Sequence, residues 1–142
     1  MTDDVRMSAF GDRRVGEFSF REHLEMIRTR PGMYGLDGSY GPYVTYLYGY
    51  DAGTRDSALL GFREWLLLKL GRRSSFVWSR LVTELVLPEV CPGASFRDLD
   101  DRQNEVAVEA LFGLLGEFLH ARDAERDGLR RIFRDYSLRF RD

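Results

Sequence analysis

Apolar residues along this chain recur mostly three and four apart, the spacing of one helix face, with strict alternation nearly absent. Phe20, Leu24 and Ile27 form the first such stripe. Ser19 with Glu22 three residues later is a capping-box signature for its start, and Pro31 ends it by pushing Arg30 out of the helical region. Gly35, Gly38 and Gly41 then predict a loop over 35–41. A short helix follows in "YVTYLYGYDAG", with Val44, Leu47 and Tyr48 inward and Gly53 just past its end. Its β-branched and aromatic content also permits an edge strand over 43–50, and 136–141 allows the same. Asp56 or Ser57 can cap a third helix whose stripe is Leu59, Phe62, Leu66 and Leu70, with Gly71 as the stop. Ser74 or Ser75 opens a fourth, with Val77, Leu81 and Leu85 inward, closed by Pro88. A fifth is predicted from about Arg102 to His120, buried through Ala107, Leu111, Leu114, Leu115 and Phe118. A sixth carries Leu129, Ile132, Phe133 and Tyr136. The expected fold is mainly α: one compact domain of five or six helices over 17–142, with 1–16 as a flexible N-terminal arm. An α+β fold with a short edge strand is the alternative.

Composition narrows the class. At 142 residues the chain has the size of one domain, and 44% hydrophobic content is enough for a core. No apolar run approaches the roughly 18 residues of a membrane span. The first residues have early acids and no apolar signal region, and Cys91 is the one cysteine. A cytoplasmic protein with no membrane attachment is expected. The net charge of −2 argues against a general nucleic-acid binder. The rival nucleic-acid reading rests on the last helix, with Arg126, Arg130, Arg131, Arg134 and Arg139, but Glu125, Asp127 and Asp135 dilute that patch.

The sharpest local word is "RTRPGMYG". Arg30, Pro31, Gly32, Met33 and Tyr34 form a structural corner. Pro31 fixes φ and Gly32 supplies the permissive next position of a type II turn, so that Met33 and Tyr34 fold back onto Phe20, Leu24 and Ile27. The segment resembles "RKRPGMYIG" near the start of the ATPase domain of the type II topoisomerase B subunit, as in gyrase. In that family it precedes a helix carrying a catalytic glutamate and a metal-binding asparagine. Here Tyr46 to Tyr50 supply neither, and the later glycine-rich nucleotide motif is missing, so ATPase activity is not expected. A second resemblance spans more of the chain. "RPGMYG", "YLYGYDAG", "SSFVW" and "LLGEF" are similar to pieces of small bacterial proteins, some of them immunity proteins of toxin systems. It implies a protein that blocks a partner by binding.

Chemistry is sparse elsewhere. His23, His120 and Cys91 lack the roughly four organised ligands of a zinc site. Ser74–Ser75 lacks a nucleophile elbow, and the acids of "DLDD" at 98–101 suit the N-terminus of the fifth helix. No catalytic residue, cofactor or metal is expected; an enzyme without a recognisable motif remains a rival class. The least ordinary feature is aromatic: Tyr34, Tyr40, Tyr43, Tyr46, Tyr48 and Tyr50 fall within 17 residues. Tyr43, Tyr46 and Tyr50 share one helix face. With Asp51 they are the expected partner-binding residues, offering anchors of low side-chain entropy. The expected function is a cytoplasmic protein-binding module of the immunity-protein kind, occluding a cognate toxin.

Overall fold

The computed structural model describes residues 18–141; the expected arm at 1–16 lies outside them. Six α-helices build the described chain: α1 (Phe20–Thr29), α2 (Tyr40–Gly53), α3 (Phe62–Leu70), α4 (Trp78–Val86), α5 (Asp101–Asp123) and α6 (Gly128–Arg139). They form one mainly helical domain, with no strand among the described residues. Residues 43–50 lie within α2 and 136–139 within α6, which removes the edge-strand alternative.

The longest helix organises the rest. α5 touches each of the other five. Its Ala107, Leu111, Leu115 and Phe118 are fully buried, each large side chain contributing roughly 1.5–3 kcal/mol. Leu114, expected with them, is half-buried. The Phe118 ring meets Phe62 of α3 at 5.1 Å, and Phe62 meets Trp78 of α4 at 5.6 Å, so one aromatic chain runs through the core. α5 starts earlier than its apolar stripe indicates. Asp100 accepts from the Gln103 N–H at 2.7 Å and Gln103 reaches back to the Asp100 N–H, a capping box that extends the helix to Asp101. The Ser19–Glu22 box at the start of α1 is present as expected.

Two helices begin later than expected. Residues 57–60 turn rather than extend α3. The Asp51 carboxylate takes the Leu59 N–H at 2.8 Å, and Arg122 of α5 donates to the carbonyls of Ala58 and Leu60 at 2.9 and 3.2 Å. Asp56 is therefore no cap: it sits in the left-handed region at φ 62°. Val77, expected inward, is exposed just ahead of α4, and Trp78 takes the buried place. Arg63 holds that junction by donating to the carbonyls of Phe76 and Ser74 at 2.8 and 2.5 Å. Lys69 at the end of α3 pairs with Glu117 of α5 at 3.3 Å, beside the Trp65 ring. α6 starts against the last carbonyls of α5. A Cβ on Gly128 would lie 2.3 Å from the Arg122 oxygen, so only glycine fits.

The Pro-Gly corner is built differently from expectation. Pro31–Tyr34 is one turn of 3-10 helix with Pro31 at its first position, where the missing N–H costs nothing. The Met33 N–H donates to the Arg30 carbonyl at 3.1 Å, and Leu36 closes the turn onto the Pro31 carbonyl at 3.0 Å. Gly32 lies outside the left-handed region that a type II turn requires of it; Gly35 occupies that region, at φ 74°, as the cap. Tyr34 folds back toward α1 with its hydroxyl near the Met26 sulfur, whereas Met33 points away and is 67% exposed.

The stability cost at this corner therefore moves from Gly32 to Gly35. Gly35→Val should cost about 1–2 kcal/mol, the price of a side chain in the left-handed region. Gly32→Ala, with open space around its Cβ, should be neutral or stabilising by up to ~1 kcal/mol. Urea midpoints of the two variants check both signs; a destabilising Gly32→Ala restores the type II reading.

Candidate protein-binding surface

α2 packs against α1, α4 and α5, and that decides where its tyrosines go. The main buried stripe is Tyr40, Tyr43, Val44 and Leu47, at i, i+3, i+4 and i+7. Tyr43, expected on the outer face, is 2% exposed, and its hydroxyl donates to the Ile27 carbonyl of α1 at 2.9 Å. Its ring takes Phe112 of α5 edge-on at 5.0 Å. Tyr48, expected inward, is 39% exposed; it leans on Trp78 and shares a hydrogen bond with Ser79 at 3.1 Å.

Tyr46 and Tyr50 lie half-buried in the seam between α1 and α2. His23 of α1 stacks on both, with ring centroids 5.7 and 4.9 Å away, and its Nε2 is 2.7 Å from the Tyr46 hydroxyl. Tyr34 meets His23 edge-on and Phe20 stacks on Tyr50, completing a five-ring cluster. Burial lowers the His23 pKa below its ordinary 6.5 and raises that of Tyr46 above 10.0. Asp51 faces its own chain, as the acceptor for Leu59. The expected set of Tyr43, Tyr46, Tyr50 and Asp51 is thus brought onto one helix, yet not onto one free face. Three of them hold α2 to α1, and the fourth holds the following loop.

The accessible concave surface lies beside them. The 35–39 loop borders α5, and Asp37 shapes it by accepting from the Ser39 N–H at 3.0 Å and the Ser39 hydroxyl at 2.5 Å. Those bonds hold the Asp37 pKa below its usual value. On one side of the loop a groove of about 940 Å³ runs along α5. Pro31, Val108 and Phe112 supply its apolar wall, and Asp37, Asp101, Glu105 and Glu109 its acids. The three α5 acids stand four residues apart on one exposed face, and none enters an ion pair among the described residues. Arg28, also on the groove, is committed to Glu25 at 2.6 Å. A second groove of about 850 Å³ lies across the loop, with Leu36, Pro42, Tyr46, Phe96 and Arg97 on its walls. Asn104 lines both.

Asn104 has no counterpart in the sequence reading. Its Oδ1 accepts the Tyr40 N–H at 2.8 Å, and its amide donates to the Leu99 carbonyl at 3.1 Å. It supplies the start of α2 with the cap that Ser39 does not make. The only local signal is an asparagine in a helix's first turns.

The arginine-rich end offers less free charge than its composition indicates. Arg131 pairs with Glu125 at 2.5 Å, Arg134 with Asp135 at 3.2 Å, and Arg139 donates to the Gly71 carbonyl at 2.7 Å. Among the described residues that leaves Arg126 and Arg130 without an ion pair. Among the described residues no helix is long and apolar enough to cross a membrane, and no group of three or more His, Cys, Asp or Glu could hold a metal ion. No family model, no curated protein and no solved structure matches the chain.

The His23 cluster carries a pH dependence. Because the folded pKa lies below 6.5, the unfolded chain takes up the proton first. The cluster's contribution is fully present above pH 6.5 and is lost as pH falls below it. The urea midpoint of the native protein should drop between pH 7.5 and 5.0 by more than that of His23→Gln. Equal drops would mean that His23 titrates alike in both states.

Proposed function

We propose that this chain acts by binding a second protein rather than by catalysis, and that it binds through the groove between the 31–39 corner and α5. The observation that carries this reading is the row Asp101, Glu105 and Glu109, exposed and without ion-pair partners among the described residues, beside an apolar wall. Acids in that arrangement steer a basic partner and disfavour an acidic one, while Phe112 and Val108 offer an apolar contact once water leaves. The tyrosines serve at one remove: Tyr43 backs Phe112, and Tyr46 and Tyr50 fix α1, which carries the corner.

The partner class follows from the resemblance to small immunity proteins. In this proposal the chain occludes a basic functional surface of a cognate toxin, and its place of work is the cytoplasm of the producing bacterium. The acid row also supports this reading over nucleic-acid binding, since like charges along a groove repel a phosphate backbone.

The test is coexpression with the protein encoded beside this one. The native chain should protect cells from that protein and bind it with an affinity that weakens as salt rises. Glu105→Lys combined with Glu109→Lys should raise Kd at least tenfold, about 1.4 kcal/mol, at an unchanged melting temperature. A neighbour without toxicity, or a Kd indifferent to the double reversal, overturns the proposal.

A further inference from the structure

From Asp101 to Gly113, α5 floors the groove beside the 31–39 corner over about 18 Å of helix. Two neighbouring rows at four-residue spacing make up that floor. Asp101, Glu105 and Glu109 are one, spanning about 12 Å; Val108 and Phe112 are the other. The acid row continues to Gly113, which also lines the groove and is exposed.

Gly113 is a poor residue for the middle of a helix. Glycine there costs stability relative to alanine, because it has more backbone freedom to lose on folding. Such a glycine suits a place where another backbone comes close. Among the described residues nothing does: a Cβ on Gly113 would meet no atom within 4 Å. Gly49 of α2 is equally open, but it borders neither groove. Gly113 differs in being a notch at the end of a face that is both charged and apolar.

We propose that the groove receives an amphipathic basic helix of the partner protein, lying along α5 with its closest approach at Gly113. This rests on the protein-binding reading above and names the element that binds. A helix presents two adjacent ridges at once. Its basic ridge can follow the acid row while its apolar ridge meets Val108 and Phe112. Residues four apart on that helix repeat at about 6 Å, as do the acids they face. An extended strand shows one row per face and would meet only one of the two. The notch sets where the axes come closest, because the side chains at the contact fix the distance between packed helices. Arg28, on the opposite wall, is paired with Glu25, which offsets its charge toward a basic helix.

The probe is a synthetic peptide of about 18 residues, long enough to form helix in water. It carries arginine at every fourth position in one row, leucine in the adjoining row and alanine elsewhere. One control is a scrambled peptide of the same composition, which has the charge without the rows. Another has a central proline, which breaks the helix. The helical peptide should bind the native chain saturably, at least tenfold tighter than either control. Gly113→Leu should weaken that binding at least tenfold while the melting temperature stays at or above the native value, since the helix gains a better former. Gly49→Leu should leave binding unchanged. Should leucine disturb the fold, Gly113→Ala is the smallest filling of the notch and should weaken binding about threefold or more. Binding that both Gly113 variants leave untouched overturns the proposal. So does equal binding of the scrambled or proline peptide, or no binding by the helical one. In each of these cases the charge reversal at Glu105 and Glu109, measured on the partner protein itself, still decides the protein-binding reading separately.

Discussion

The N-terminal residue of α2 is the point on which the arrangement depends. Tyr40 is fully buried, and its hydroxyl donates to the Ser79 carbonyl of α4 at 2.6 Å. Its backbone N–H goes to Asn104 of α5. One residue thus ties three helices at a single depth in the core. Burial raises the phenol's pKa well above 10.0, so the hydroxyl is a protonated donor at neutral pH. With α2 fixed there, the 35–39 loop that leads into it lies along α5, and both grooves share its residues Asp37 and Ser39.

The connections are held by a second device, the guanidinium. Arg63 clamps the entry to α4, Arg80 the segment after it, Arg122 the turns before α3, and Arg73 and Arg139 the two ends that meet near Gly71 and Phe140. Each clamp reaches main-chain carbonyls that no helix ladder satisfies. A planar fork of donors suits this better than an ammonium, because several carbonyls of one bend can be met from one side chain. Of the 21 basic residues only Lys69 is lysine, and at these five positions arginine has a structural use.

What the chain discloses in advance, and what it withholds, separates by range. Stripes such as Leu24–Ile27 and Leu111–Leu115–Phe118 are local and periodic, and they lie where their spacing puts them. The Ser19–Glu22 box is equally local. The failures are all matters of tertiary choice. Pro-Gly is compatible with a type II turn and with the opening of a 3-10 helix, and what distinguishes them is the backbone of Gly32, which lies outside the left-handed region and accepts from the Gly35 N–H at 3.3 Å. α2 is apolar on nearly every side, so its pattern names no single inward face; the positions of α1 and α5 decide that Tyr43 is core and Tyr48 is rim. Of the candidate surface, Asp101 alone is legible, as one of the acids favourable at a helix start; Glu105 and Glu109 carry no local signal. That Asp101, Glu105 and Glu109 border a groove depends on where a loop more than sixty residues earlier in the chain comes to rest. Asn104 belongs to the same class, as a cap whose helix lies far away in sequence.

The use of guanidinium in place of ammonium has a chemical consequence. Lys69 carries the only side-chain amine in the protein, and Cys91 the only thiol. The amine is on α3, against the middle of α5; the thiol is on the segment after α4. A thiol reagent, and an amine reagent used with the α-amine blocked, therefore address two defined points on different elements, with no engineering of the chain. A donor dye on one and an acceptor on the other would form a molecular ruler native to this sequence.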